Sequence, residues 1–195
     1  MSGRFLRAAA LILFASVLLA GCGGSQKWDT TNITGVMPNL KFTLTDDNGA
    51  TVHADKWSGK VKLLYFGYTH CPDICPLTLA DIARALRSLG KQADGVRVLF
   101  VSVDPKRDTP AMLKTYAHAF GSQFVGLTGT QNQLRALTAR YRVSYSYDKP
   151  DADGNYTVNH GAVIFVFDQS GRVRLLMSGS DKSAAIAHDL KQLLD

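Results

Sequence analysis

Two long apolar runs constrain this chain most. Val61 to Tyr68 and Val96 to Val103 are almost wholly apolar, and each reads as a buried strand. Between them Leu79, Ile82, Ala83, Leu86 and Leu89 recur at helical spacing, which predicts a helix from Pro76 to about Leu89. Upstream, Leu40, Phe42 and Leu44 alternate with polar residues as in a strand, and Asp47-Asn48-Gly49 turns into a second short strand around Val52. Downstream, Asp108-Thr109-Pro110 opens a helix, with Asp or Thr as cap and proline in the first turn. A further helix covers Asn132 to Tyr141. Val143 to Tyr147 and Tyr156 to Val158 flank the polar turn Asp151-Ala152-Asp153-Gly154 and read as a hairpin or a long loop. Ala162 to Phe167 and Arg172 to Met177 are strands joined through Ser170-Gly171, and Asp181 to Leu194 is a closing helix. The order β-β-β-α-β-α-α-β-β-α predicts an α/β fold: a central sheet flanked by helices, with an N-terminal β-hairpin extension. The last two strands share a tight turn and must be antiparallel, so the sheet is mixed.

The first residues have a different character. Arg4 and Arg7 precede an apolar stretch from Ala8 to Ala20, broken only by Ser16. This stretch is too short to span a bilayer and suits the core of a secretory signal. It ends in Leu19-Ala20-Gly21-Cys22, which resembles a bacterial lipobox, where the signal is cut before a cysteine that is then acylated. The reading divides the chain into a signal peptide over 1–21, a lipidated N-terminus and flexible tether over 22–37, and one folded domain over 38–195. Acyl chains on Cys22 would tether that domain to a membrane of the bacterial cell envelope, facing the periplasm or extracytoplasmic side, without spanning it.

Charge excludes some functions. Without Arg4 and Arg7 the chain keeps 20 Lys and Arg against 16 acids, and no basic run interleaves with aromatics, so no nucleic-acid partner is expected. All 16 acids are Asp, which excludes any mechanism needing a Glu base or ligand.

With Cys22 acylated, the mature domain holds one thiol pair, Cys71 and Cys75, in Gly67-Tyr68-Thr69-His70-Cys71-Pro72-Asp73-Ile74-Cys75-Pro76. The pair falls where a buried strand ends and a helix begins, the end of an open α/β sheet where ligands bind. Residues four apart share a helix face, and a helix N-terminus is expected to lower the thiol pKa. Three uses compete. A stabilising disulfide would close a loop too short to constrain the unfolded chain much. A dithiol oxidoreductase would differ from the C-x-x-C type by one residue. A metal site would offer two soft donors suited to Cu(I) or Zn and would need a third ligand. Among the histidines, His70 neighbours Cys71, but adjacent residues of an extended segment face opposite ways. His53, His118 and His188 read as surface or structural groups. His160, at the entry to the strand Ala162–Phe167, lies on a loop that could approach the thiols.

Tyr65-Phe66-Gly67-Tyr68-Thr69-His70-Cys71-Pro72-Asp73-Ile74-Cys75-Pro76 resembles the signature of Sco (SenC) proteins. Val101 to Pro110 resembles the second block of that family, and Val158-Asn159-His160 falls where the family has its ligand histidine. The resemblance runs from about Pro38 to the C-terminus. It implies a thioredoxin-like fold and one copper ion, Cu(I) or Cu(II), held by Cys71, Cys75 and His160. It implies a metallochaperone that assists assembly of the CuA centre of cytochrome c oxidase, by delivering copper, by reducing the oxidase cysteines, or both, with thiol–disulfide oxidoreductase activity left open. The copper-receiving oxidase subunit would be its partner, with other copper chaperones or thiol reductants beside it. The competing expectation is an envelope thiol–disulfide oxidoreductase using Cys71 and Cys75 as a redox pair without carrying copper. One position departs from the family pattern: the residue before the histidine is commonly Asp, and here it is the uncharged Asn159.

Overall fold

The computed structural model describes residues 27–195. The signal peptide expected over 1–21 and the expected lipidation site Cys22 lie outside the described residues. Ten strands and four α-helices follow one another: β1 Thr31–Asn32, β2 Thr43–Asp46, β3 Thr51–His53, β4 Val61–Gly67, α1 Ile74–Leu89, β5 Val96–Ser102, α2 Pro110–His118, β6 Phe124–Thr128, α3 Gln131–Arg140, β7 Tyr145–Tyr147, β8 Val158–His160, β9 Val163–Phe167, β10 Val173–Ser178 and α4 Ser183–Leu194. Eight strands form one sheet in the order β1-β10-β9-β4-β5-β6-β2-β3, and β7 pairs with β8 alone. The sheet is mixed, as expected. β4, β5 and β6 run parallel, β9 runs antiparallel to β4, and β10 runs antiparallel to β9.

Every residue of β4 is buried, and so is all of β5 except Arg97. Burial of successive residues means both faces are covered, which is why these strands read as continuous apolar runs. α1 packs on α4, and α2 packs on β6. Lys62 is the polar exception in β4, and it donates from Nζ to the Gln169 carbonyl at 3.0 Å. The β2–β3 hairpin forms around the Asp47–Gly49 turn and joins the far edge of the sheet through β6.

Several boundaries differ from those the sequence predicts. β6 is not expected from pattern, because its run Phe124-Val125-Gly126-Leu127-Thr128 is short and broken by Gly126. A Cβ there would lie 2.6 Å from the Leu113 Cβ, so the glycine lets α2 sit close on the strand. α1 starts at Ile74 rather than Pro76, so Pro76 lies inside the first turn, where no N–H partner is lost. Ahead of Pro38, Thr31 and Asn32 already pair with Leu176 and Leu175 of β10. The buried Asp189 carboxylate of α4 accepts from the Asp29 and Thr30 amides, both at 2.9 Å, and from the Thr30 hydroxyl at 2.7 Å. Among the described residues no helix is long and apolar enough to cross a membrane.

Candidate metal centre

The carboxyl ends of β4 and β5 deliver the site. β4 ends at Gly67, where a Cβ would lie 2.6 Å from the Cys75 Sγ and 2.7 Å from the Phe100 ring. Only glycine lets the strand end pass this close to the sulfur. The Gly67 carbonyl accepts from the Val103 amide at 2.8 Å, which extends the β4–β5 pairing to the rim. The loop that follows is tied to the second block of the sequence. Asp108, wholly buried, accepts from the Thr69 amide at 2.9 Å, the Thr69 hydroxyl at 2.6 Å and the Ser102 hydroxyl at 2.6 Å. Thr109, not Asp108, caps α2, accepting from the Met112 amide at 3.3 Å. Asp108 thus fixes the cysteine loop, a role its sequence position does not announce.

Cys71 lies in this loop and Cys75 is the second residue of α1; both thiols are free and buried. His160 closes β8. Its Nε2 lies 3.3 Å from the Cys75 Sγ, and one ligand atom from each of Cys71, Cys75 and His160 lies within 4.8 Å of the others. The structure therefore brings together the three residues named from the sequence. It keeps the other histidines apart from them. His53 pairs with the Thr43 hydroxyl, His70 with Thr69 and Asp108, His118 with Asp47, and His188 with Asp29 and Asp189.

Burial governs the ionisation of the centre. The Cys75 thiol is pushed up to about 12, first by burial. This reverses the expected lowering by the helix N-terminus. The side chain points into the core, where desolvating a thiolate outweighs the helix field. The Tyr65 hydroxyl, 3.6 Å from the Cys75 Sγ, is aimed at the same sulfur and favours its ionised form. Burial also lowers the His160 pKa. His160 Nδ1–H donates to the Gly161 carbonyl at 3.1 Å, which leaves the lone pair on Nε2, the nitrogen facing Cys75. The Tyr68 ring stands at 90° to the imidazole with centroids 5.7 Å apart, and the Tyr65 ring lies 6.4 Å away. Sequence reasoning does not single out Tyr65 and Tyr68, although both flank the Cys motif; inside an apolar run nothing marks which aromatic faces the site.

A mixed sheet with helices over both faces, carrying two thiols and an imidazole at the carboxyl ends of its central strands, defines a thioredoxin-like protein with a soft metal-donor set. A family model described as SCO1/SenC matches residues 35–195, and the chain belongs to that family. It is 37% identical over 132 residues to the SCO2-like protein of Rickettsia felis, covering 67% of this chain and 64% of that protein, so it spans just under two thirds of that relative's length. It also resembles the structure of Bradyrhizobium japonicum ScoI with copper bound, at 41% identity and a TM-score of 0.72, over 80% of this chain and 98% of that one. The crystal structure of a SCO1/SenC family lipoprotein from Bacillus anthracis matches at 29% identity and a TM-score of 0.66, over 80% and 95%.

Proposed function

We propose that this chain is a membrane-anchored copper chaperone that binds one copper ion through Cys71, Cys75 and His160 and assists assembly of the CuA centre of cytochrome c oxidase. The observation that carries the reading is the meeting of two free thiols and one imidazole lone pair within 4.8 Å. That donor set suits copper: two thiolates satisfy soft Cu(I), and the imidazole nitrogen lets the same site hold Cu(II). The protein's own residues prepare the site. Tyr65 supplies a donor to the Cys75 sulfur, and His160 is held in the tautomer that can ligate. Because the Cys75 thiol is protonated at neutral pH without metal, loading releases protons and strengthens as pH rises. Copper is cargo here, and delivery requires a client ligand to enter beside the three. The lipid anchor rests on the Leu19–Cys22 motif and on the likeness to a lipoprotein of the family.

The test is a copper titration of reduced protein. Wild type is expected to take up one equivalent; Cys71→Ser and Cys75→Ser are expected to lose it, and His160→Ala to bind more weakly. Uptake by all three variants equal to wild type would overturn the reading. The free state and proximity of the two thiols favour a second reading, a thiol–disulfide oxidoreductase. In that reaction the two thiols become a disulfide while a client disulfide gains their two electrons and two protons. Turnover on a disulfide substrate without copper, retained in His160→Ala, would favour it.

A further inference from the structure

The main sheet positions the two cysteines. His160 sits instead on the β7–β8 hairpin, whose strands pair only with each other. A two-stranded hairpin is marginal alone, so something outside it must hold the imidazole at the thiols. Two side-chain tethers link it to the second block. One is the Tyr147 hydroxyl, which donates to the Val103 carbonyl at 2.6 Å. The other is built on Arg107.

The Arg107 guanidinium is mostly buried and reaches three segments. Its Nε donates to the buried carboxylate of Asp104. Its Nη1 donates at 2.9 Å to the backbone carbonyl of Tyr156, two residues before β8. Its central carbon lies 3.6 Å from the centroid of the Tyr156 ring and 5.6 Å from that of the Tyr68 ring in the cysteine loop. Tyr156 closes the arrangement by donating its hydroxyl to the other Asp104 oxygen at 2.8 Å. Tyr68 in turn stands edge-on to the His160 ring. One side chain therefore joins the second block, the segment leading into the strand that carries His160 and the aromatic wall of the metal centre. Lysine could replace it only in part, because a point charge lacks the planar fork that donates along fixed directions while stacking on a ring.

We propose that Arg107 is the positioning residue that keeps His160 within reach of Cys71 and Cys75, and so decides whether the site offers three donors or two. The inference rests on the copper reading for its chemistry. Two thiolates alone satisfy Cu(I), whereas Cu(II) relies on the imidazole. Loosening the clamp should therefore weaken Cu(II) selectively, which a general loss of stability would not do.

The experiment compares wild type, His160→Ala, Arg107→Lys, Arg107→Met and the neighbouring variant Lys106→Met, all reduced and anaerobic, each titrated with Cu(I) and with Cu(II). Hydrogen exchange is measured on the same proteins without metal. In Arg107→Met the Cu(II) dissociation constant should rise about 10–100-fold, in the range seen when groups supporting a ligand are removed. Its sulfur-to-copper absorption should move toward that of His160→Ala, with Cu(I) binding far less affected. Arg107→Lys should fall between, and Lys106→Met should match wild type. Amides of β7–β8 should exchange faster while those of β4 and β5 do not. Wild-type Cu(II) affinity and spectrum in Arg107→Met would overturn the proposal, as would equal weakening of Cu(I) and Cu(II). Should Arg107→Met fail to fold, Arg107→Lys decides by the same ratio of Cu(II) to Cu(I) loss. If wild type takes up no copper in either state, the functional reading fails, and hydrogen exchange still decides the positioning role.

Discussion

The two sides of the metal centre are built differently. Cys75 belongs to a sixteen-residue helix seated on fully buried strands, and its side chain has no exposed surface. His160 ends a three-residue strand of a two-stranded sheet, and it reaches the same point through side-chain tethers. The thiols are thus fixed by the fold itself, and the imidazole by a few bonds laid over it. In the delivery role proposed above, this division would let two donors stay in place while the third is withdrawn.

The sharpest way to break the rigid side is Asp108→Ala. It would take the acceptor from the part-buried Thr69 amide and from the buried Ser102 hydroxyl, while the Thr69 hydroxyl keeps His70 Nδ1 at 3.1 Å. A buried donor left without a partner costs about 1–3 kcal/mol, and a loss in that range is expected, read as a fall in the denaturant midpoint. A loss below about 1 kcal/mol would mean that the loop is not held by this carboxylate. Gly67→Ala attacks the same side through packing. Its methyl would meet both the Cys75 sulfur and the Phe100 ring, and overpacking of this kind costs about 1–3 kcal/mol. Copper uptake should drop as well, because the sulfur must move. An unchanged stability with full uptake would show that the strand end can shift aside.

These sites also show what a sequence can and cannot tell. The all-buried strands β4 and β5 and the helical spacing of α1 are local patterns, and they put the cysteine loop at the strand end where it lies. His160 is different. A lone histidine has only a weak local signature: its place at the entry to a strand makes His160 a candidate over His53, His70, His118 and His188, and the family resemblance makes it the expected ligand. Asp108 and Arg107 read as the end of one element and the start of the next. Their partners Thr69 and Tyr156 lie 39 and 49 residues away, and contacts at that range leave no period in the sequence. β6 escapes for a related reason: Gly126 removes the apolar residue that a pattern needs, and it does so for the sake of a neighbouring helix.

On the loosely held side the expected effects are smaller and more local. Tyr147→Phe deletes the bond to the Val103 carbonyl and keeps the ring that packs on Tyr145 and Tyr156. A typical hydrogen bond contributes about 1 kcal/mol. Because the hairpin can open by itself, that energy should show as faster hydrogen exchange in β7–β8, with little change in the global midpoint. Equal acceleration throughout the protein would mean that the hairpin unfolds only with the core, and the contrast between the two sides would vanish.

The smallest effect is expected at the one position that departs from the family pattern. Asn159 donates to the Asp148 carboxylate across the hairpin at 2.7 Å. Along a strand, neighbouring side chains face opposite ways, so this pair lies on the other face from the His160 imidazole. Asn159→Asp would replace a donor with a second carboxylate diagonally across from Asp148, since Asn159 itself pairs with Ser146, and like charges across a strand pair cost up to about 1 kcal/mol. The variant should therefore be less stable than wild type by less than about 1 kcal/mol, read as a small fall in the denaturant midpoint. Copper affinity should hardly change, since the ligating face is untouched. A marked change in affinity would show that charge at this position reaches the metal through the strand, and that the hairpin tunes the site as well as carrying its third ligand.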